Sequence, residues 1–191
     1  MNDAAPVTSP PLPDARTRVL DAAEAIVQTR GVPAMTLEAV ARDAGVSKGG
    51  LLYHFASKEA LLAGMLGRLA ETISRDFDAT LAAQPEGPGR VARTMLAWAF
   101  EDMACEHQDR AAAVFLAAFH HDPALLDPVR AVFERMRGAI AADGLAPGAG
   151  QAIMCATDGL FMSRVFGMYE LDAAELRTLR AALERLLEAT P

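Results

Sequence analysis

Apolar side chains recur at helical spacing through most of this chain, which leaves room for little besides helices. In residues 14–30 the apolar positions follow the i, i+3, i+4, i+7, i+8 pattern of one helix face, namely Val19, Ala22, Ala23, Ile26 and Val27. Comparable stripes continue towards the carboxyl end, and no segment alternates apolar and polar residues as a half-buried strand does. The sequence therefore predicts an all-α fold with about nine helices.

Proline, glycine and capping residues divide the chain into segments. Residues 1–13 contain four prolines and little apolar surface, which predicts a disordered tail. The stretch 84–89, QPEGPG, separates a long fourth helix from a fifth. Later helices are expected from about Asp109, after Asp122, over residues 148–168 and from Asp172, where Glu175 completes a capping box.

Two short helices flank Gly45. Thr36 is suited to cap the first of them, and Ser47 is suited to cap the second, which ends near Phe55. Ser57 then caps the long fourth helix. Gly45 falls where the chain needs a left-handed residue to turn between the two short helices.

This spacing predicts a helix-turn-helix. Ala41 and Ala44 are small enough for the two helices to cross closely, while Val46 and Leu51 pack the second helix onto the first. The second helix can then lie in the major groove of DNA with its leading residues at the base edges.

The residues at that leading end have the chemistry that a DNA contact needs. Lys48 carries a long donor suited to guanine or to a phosphate, and Gly49 and Gly50 expose backbone that allows close approach. Other donors lie near the expected DNA backbone, where they would contact phosphates; they are Thr36, Tyr53, His54 and Lys58.

The charge distribution confines DNA contact to the amino-terminal end. The net charge is −7, yet residues 14–60 hold six cations and six anions, so the remainder carries the whole excess. Both lysines of the chain, Lys48 and Lys58, fall in this neutral segment. An acidic body repels DNA, which argues against a DNA-organising protein because such proteins bind with broad basic surfaces.

Residues 36–62, TLEAVARDAGVSKGGLLYHFASKEALL, closely resemble the DNA-binding module of the tetracycline-repressor (TetR) family. The resemblance spans about residues 14–62 and implies DNA contact at Thr36, Ser47, Lys48, Gly49, Gly50, Tyr53, His54 and Lys58. Two positions depart from the family pattern. Leu52 stands where many members have a tyrosine, and Ala56 stands where a proline is usual.

The resemblance also implies the domain plan, a three-helix helix-turn-helix module followed by a helical bundle. We expect a tail at 1–13, a DNA-binding domain at 14–60 and a ligand-binding and dimerisation domain at 61–191. The bundle interior supplies the candidate pocket, lined by Met65, Leu69, Met95, Trp98, Phe115, Phe119, Phe133, Met136 and Phe161. The scarcity of polar groups in this set favours an apolar ligand.

Apolar surface on the last two predicted helices favours a homodimer, as the resemblance also implies. The candidate interface residues are Met154, Asp158, Phe161, Met162, Phe166, Leu179, Leu183 and Leu186. Two recognition helices in one dimer would read a near-palindromic operator in double-stranded DNA. The resulting hypothesis is a repressor that a small-molecule effector releases; an activator, or a regulator without a ligand, stays open.

Other classes of protein find little support in the residues. No nucleophile–base pair, metal-ligand spacing or phosphate loop occurs, so neither an enzyme nor a cofactor or metal site is expected. No apolar run approaches ~20 residues, so no membrane span is expected. Cys105 and Cys155 lie far apart, which favours two buried free thiols in a reducing cytoplasm.

Overall fold

The computed structural model describes residues 13–101 and 122–188. Its eight α-helices are α1 (Ala15–Arg30), α2 (Leu37–Asp43), α3 (Lys48–His54), α4 (Lys58–Ala83), α5 (Arg90–Glu101), α6 (Asp127–Ala141), α7 (Ala149–Val165) and α8 (Ala173–Leu187). These ranges contain no strand, and the predicted all-α class is confirmed. The helix predicted from about Asp109 and almost all of the predicted tail lie outside the described residues.

The amino-terminal helices begin where the sequence predicts. A side-chain oxygen before each of α1 to α4 accepts a hydrogen bond from a backbone N–H of the first turn, which satisfies a donor that the helix itself leaves free. The four capping residues are Asp14, Thr36, Ser47 and Ser57. Gly45 has a φ of +64°, so the predicted left-handed turn is confirmed. Asp172 and Glu175 form the predicted capping box at α8.

The first three helices form one small packed unit, which we call the head. Leu20, Val40 and Leu51, one from each helix, are at most 1% exposed. Arg18 on α1 donates from Nε to the carbonyl oxygen of Ala44 at 3.3 Å, which ties α1 to the turn between α2 and α3. The head is therefore held by a shared core and by a bond to the turn itself.

The remaining helices form a body around α5, which contacts α4, α6, α7 and α8. The interior includes Met65, Met95 and Met136, each at most 2% exposed. Cys155 on α7 is a free thiol but is exposed, so its predicted burial is wrong. The apolar character of α7 on several sides leaves some of its surface outside the core, and Cys155 lies on that surface.

Asp143 organises the far end of the body. Its carboxylate oxygens accept hydrogen bonds from the backbone N–H groups of Val91 at 2.9 Å and Ala92 at 2.8 Å, in the first turn of α5. Its backbone oxygen accepts from the N–H of Gly89 at 2.7 Å. Asp143, which follows α6, thus caps α5 although it lies 52 positions from Val91 in the sequence. Local sequence patterns could not predict this contact.

Helix α4 belongs to both units, because it packs against α1 in the head and against α5 and α6 in the body. Its contact with the head depends on Gly64. A Cβ atom at that position would lie 2.5 Å from Cε1 of Phe55 and 3.4 Å from Cδ2 of Leu20. Phe55, which follows α3 and is 3% exposed, therefore packs directly on the α4 backbone.

A charged cluster reinforces the junction of α1 and α4, and we call it the Arg68 clamp. The Arg68 guanidinium on α4 lies 2.6 Å from a carboxylate oxygen of Asp21 and 2.6 Å from one of Glu24, both on α1. The Glu24 side chain is only 17% exposed, so this pair is less screened than a surface pair. The clamp and Phe55 together make the head follow α4.

Substituting Gly64 with Ala should destabilise the protein, because the new methyl group overlaps the Phe55 ring. Overpacking of this kind costs ~1–3 kcal/mol. Gly67→Ala is the matched control on the same helix, since no atom lies within 4 Å of its added Cβ. That control should instead stabilise by about 0.5–1 kcal/mol through helix propensity. Denaturant unfolding measures both, and equal effects of the two variants would contradict the assigned role of Gly64.

Candidate nucleic-acid interface

Helix α3 has one buried face and one exposed face. Leu51 and Phe55 point into the head and are 0% and 3% exposed. Leu52 and Tyr53 point outward and are 38% and 86% exposed. The predicted recognition helix is thus anchored on one side and open on the other.

The amino end of α3 is shaped by its cap and its glycines. Ser47 Oγ accepts from the N–H of Gly50 at 3.0 Å, and a Cβ at Gly50 would lie 3.2 Å from that same oxygen. A Cβ at Gly49 would meet nothing nearer than Ser47 Oγ at 4.0 Å. The backbone at Gly49 therefore forms a smooth, exposed surface at the start of the helix.

Lys48 is held by Glu38 of α2. Its Nζ donates to Glu38 Oε1 at 2.6 Å, and both side chains are more than half exposed. Hydrogen bonding from Lys48 lowers the pKa of the Glu38 carboxyl below its ordinary value. Sequence patterns did not predict this pair, which forms because the fold packs α2 against α3.

The other predicted donors occupy distinct places. Lys58 Nζ donates to the carbonyl oxygen of Val32 at 3.2 Å, so its ammonium lies against the turn after α1. Tyr53 and His54 lie edge to face with ring centroids 5.1 Å apart, and both are exposed. Thr36 is exposed as well, and its hydroxyl oxygen accepts from Ala39 N–H as the cap of α2.

Two family models match this chain. Residues 19–65 match the bacterial regulatory proteins of the tetR family, and residues 89–188 match the tetracyclin repressor-like C-terminal domain. The chain belongs to the TetR family. Members are transcription regulators with an amino-terminal helix-turn-helix and a carboxyl-terminal ligand-binding domain, which agrees with the expectation of a regulator and not an enzyme.

Relatives and solved structures agree with TetR membership. The HTH-type transcriptional regulator TtgR of Pseudomonas putida is 26% identical over 127 residues, which are 66% of this chain and 59% of that protein. The chain thus matches less than two thirds of the length of this relative. A TetR-family member from Streptomyces coelicolor, SCO1917, is 27% identical with a TM-score of 0.65, covering 91% of this chain and 98% of that one. The multidrug binding protein EbrR complexed with malachite green gives 26% identity, the same TM-score and the same coverage.

The residues predicted to line a pocket in this TetR-family chain differ in burial. Met65, Met95 and Met136 are buried. The partly buried members of the set are Leu69, Trp98, Phe133 and Phe161, while Phe115 and Phe119 lie outside the described residues. Trp98 packs edge to face on Phe77, with ring centroids 6.4 Å apart.

Most buried polar groups of the body are hydrogen-bonded within the protein, although Arg93 Nε on α5 is buried without a partner. Among the described residues, the buried polar side chains are Thr94, Asp143, Thr157 and Ser163, and each makes a hydrogen bond within the protein. The Thr94 hydroxyl, for example, donates to the carbonyl oxygen of Arg90 at 2.8 Å. The core therefore offers few polar groups in need of a partner.

A surface depression of about 390 Å³ lies at the end of α4 remote from the head. Its lining includes Leu81, Pro88, Val91 and Asp143. None of the predicted pocket residues lines it, so it is a separate feature of the body.

The predicted interface residues divide into exposed and buried sets. Met162 and Phe166 are 41% and 50% exposed, and the partly buried members are Met154, Asp158, Phe161, Leu179 and Leu186. Burial raises the pKa of the Asp158 carboxyl. Leu183 is 7% exposed and packs in the protomer's own core, so little of its surface is open to a second copy.

The chain segment after α7 adds residues that the predicted interface does not include. Met168 and Tyr169 are 61% and 56% exposed, next to Phe166. The predicted helix over 148–168 included Met168, but α7 ends at Val165, so both residues lie after the helix. Exposed apolar side chains grouped in this way are typical of protein interaction surfaces.

The described ranges contain neither a cluster of metal-binding side chains nor a helix suited to span a membrane. No group of three or more His, Cys, Asp or Glu residues is arranged to hold a metal ion there. None of the helices described is long and apolar enough to cross a bilayer.

The Glu38 carboxyl should titrate below its ordinary pKa, because Lys48 stabilises its charged form. The pair therefore persists above that lowered pKa and is lost as pH falls through it. In Lys48→Gln the pKa should rise towards the ordinary value, as followed by carbon-13 NMR of the carboxyl. Glu134, whose pKa is lowered by Arg137, is the internal control and should not change. An unaltered Glu38 pKa in the variant would contradict the pairing.

Proposed function

We propose that this TetR-family chain is a homodimeric, cytoplasmic transcriptional repressor. It binds a near-palindromic operator in double-stranded DNA and is released by a small, apolar inducer. The observation that carries the proposal is the open face of α3, where Tyr53 is 86% exposed while Leu51 beside it is fully buried. A helix fixed in this way is suited to enter the major groove.

The DNA contacts divide by chemistry. Lys48, Gly49 and Gly50 lie at the leading end of α3, where base edges come within reach. Ser47 precedes them at the same end. Contacts to the phosphate backbone are assigned to residues with hydroxyl, imidazole or ammonium donors around that end, namely Thr36, Tyr53, His54 and Lys58. Lys48 must exchange its bond to Glu38 for a bond to DNA, and Glu38 opposes binding because its carboxylate repels phosphates.

The dimer places α7 and α8 of each protomer together. Met162, Phe166, Met168 and Tyr169 supply the exposed apolar surface that such an interface would cover. Met154, Asp158, Phe161, Leu179 and Leu186 extend it as half-buried contacts. Two heads in one dimer then present two copies of α3, whose separation must match successive major grooves at roughly 34–36 Å or a multiple.

An apolar inducer is supported by the core of the body. Methionine and aromatic side chains dominate it, and most of its buried polar groups are bonded within the protein. EbrR, a similar protein, has been solved with malachite green and with ethidium, which supports a small-molecule ligand for this chain but not its apolar character. Met65 and Leu69 lie on α4, so a ligand against them would press on the helix that carries the head.

Helix α4 transmits the effect of inducer binding from the body to the head. With 26 residues this helix spans roughly 39 Å, from the head to the far end of the body. The Arg68 clamp and Phe55 fix the head to its first half. An inducer that prefers a tilted α4 changes the spacing of the two heads, and a preference of several kcal/mol is needed to empty the operator.

Lys48→Ala should weaken operator binding by about tenfold or more and reduce discrimination against other duplexes, because it removes a long donor from the groove. Glu38→Gln should strengthen binding by up to about fivefold by freeing Lys48. Arg137→Ala is the matched control: it also removes one positive charge, but from an exposed ion pair on α6. Fluorescence anisotropy with an operator selected from random duplexes measures all three. Equal losses of operator affinity in Lys48→Ala and Arg137→Ala would overturn the assignment of Lys48 to the DNA interface.

Phe166→Glu should convert the dimer to a monomer, because a charge would be buried in the apolar interface. Ala131→Glu adds the same charge at an exposed position on α6 and should leave the dimer intact. Sedimentation velocity at micromolar concentration distinguishes these outcomes. A wild-type chain that sediments as a monomer, or a Phe166→Glu variant that stays dimeric, would contradict the proposed interface.

A further inference from the structure

We propose that Leu52 reads the 5-methyl group of a thymine in each half of the operator. The inference deepens the proposed function and rests on it, because it requires α3 to lie in the major groove. It makes Leu52 a specificity-determining residue and adds a thymine to what the operator must contain.

The position of Leu52 is unusual for its residue type. Among the leucines that the structure describes, only Leu52 is exposed. It has 38% of its surface open to solvent, whereas the neighbouring Leu51 is fully buried. Leu52 is therefore only partly packed against the head. Its exposed apolar surface is therefore available to a partner that covers α3.

The surface around Leu52 favours close approach by a base edge. Gly49 and Lys48 lie three and four residues earlier, on the same side of the helix. Gly49 has no side chain, and its Cα is open towards that side. In the free protein the Lys48 ammonium donates to Glu38 of α2 at 2.6 Å. A base pair that meets this face thus encounters bare backbone and then the Leu52 side chain.

The chemistry of the major groove selects the base. Guanine, cytosine and adenine present hydrogen-bond donors or acceptors there, whereas thymine also presents a methyl group. Leucine has neither a donor nor an acceptor, so it cannot replace the water that a polar edge would lose. Contact with the thymine methyl removes apolar surface on both partners from water, which favours T at that position.

The test begins with an operator selected by the full-length chain from random duplexes. Each thymine of a half-site is then replaced by deoxyuridine, which removes the methyl group and keeps the base pairing. At one position in each half-site this change should weaken wild-type binding by about fourfold per methyl group. The same change at the other thymines should have little effect.

Variants at residue 52 test whether Leu52 is the side chain that contacts the thymine methyl group at the sensitive operator position. Leu52→Ala should bind the thymine and deoxyuridine operators with nearly equal affinity, while Leu52→Met, which keeps an apolar chain of similar size, should retain most of the preference. Because residue 52 is exposed, both variants are expected to fold, and circular dichroism checks this.

The outcomes separate this inference from the proposed function. If selection enriches no duplex, the DNA-binding proposal fails and the role of Leu52 fails with it. If an operator is found but every thymine tolerates loss of its methyl group, only the Leu52 assignment is overturned. An unchanged thymine preference in Leu52→Ala also overturns it.

Discussion

The direct packing of Phe55 on the α4 backbone at Gly64 is the constraint on which the rest of the arrangement depends. A side chain at residue 64 would separate α3 from α4, since its Cβ would lie 2.5 Å from the Phe55 ring. With glycine there, the end of the recognition helix rests on the helix that runs through the body. The Arg68 clamp adds charged contacts from α4 to α1. The head is therefore held against α4 by both apolar and charged contacts, which favours movement of α3 together with α4.

Electrostatics then limits where DNA can bind. Residues 61–191 carry a net charge of −6 and residues 14–60 carry none, so long-range attraction does not bring DNA to the body. Even within the head, the leading lysine is paired with Glu38 before DNA arrives. Binding must exchange that surface pair for phosphates or bases, and the small free energy of an exposed pair makes the exchange feasible.

Local features were predictable and distant ones were not. Caps at Thr36, Ser47 and Ser57 follow from hydrogen bonds within one turn, so sequence patterns located them. Arg68 meets its partners across 44 and 47 positions, and Asp143 caps a helix 52 positions away, which only the folded chain brings together. Leu183 illustrates a different limit of prediction from sequence. Helical periodicity places it on the apolar face of its helix but does not say whether the protomer's own core or a second copy of the chain covers that face. The pocket and interface assignments remain predictions for the same reason.

The most direct test of the account is amide hydrogen exchange of the full-length chain, followed by mass spectrometry with and without its selected operator. The central claim is that the open face of α3 enters duplex DNA while the body stays clear of it. The account predicts that the operator slows exchange in residues 47–58 and leaves the exposed surface of α6 unchanged. Slower exchange on the body helices, with none in residues 47–58, would contradict it.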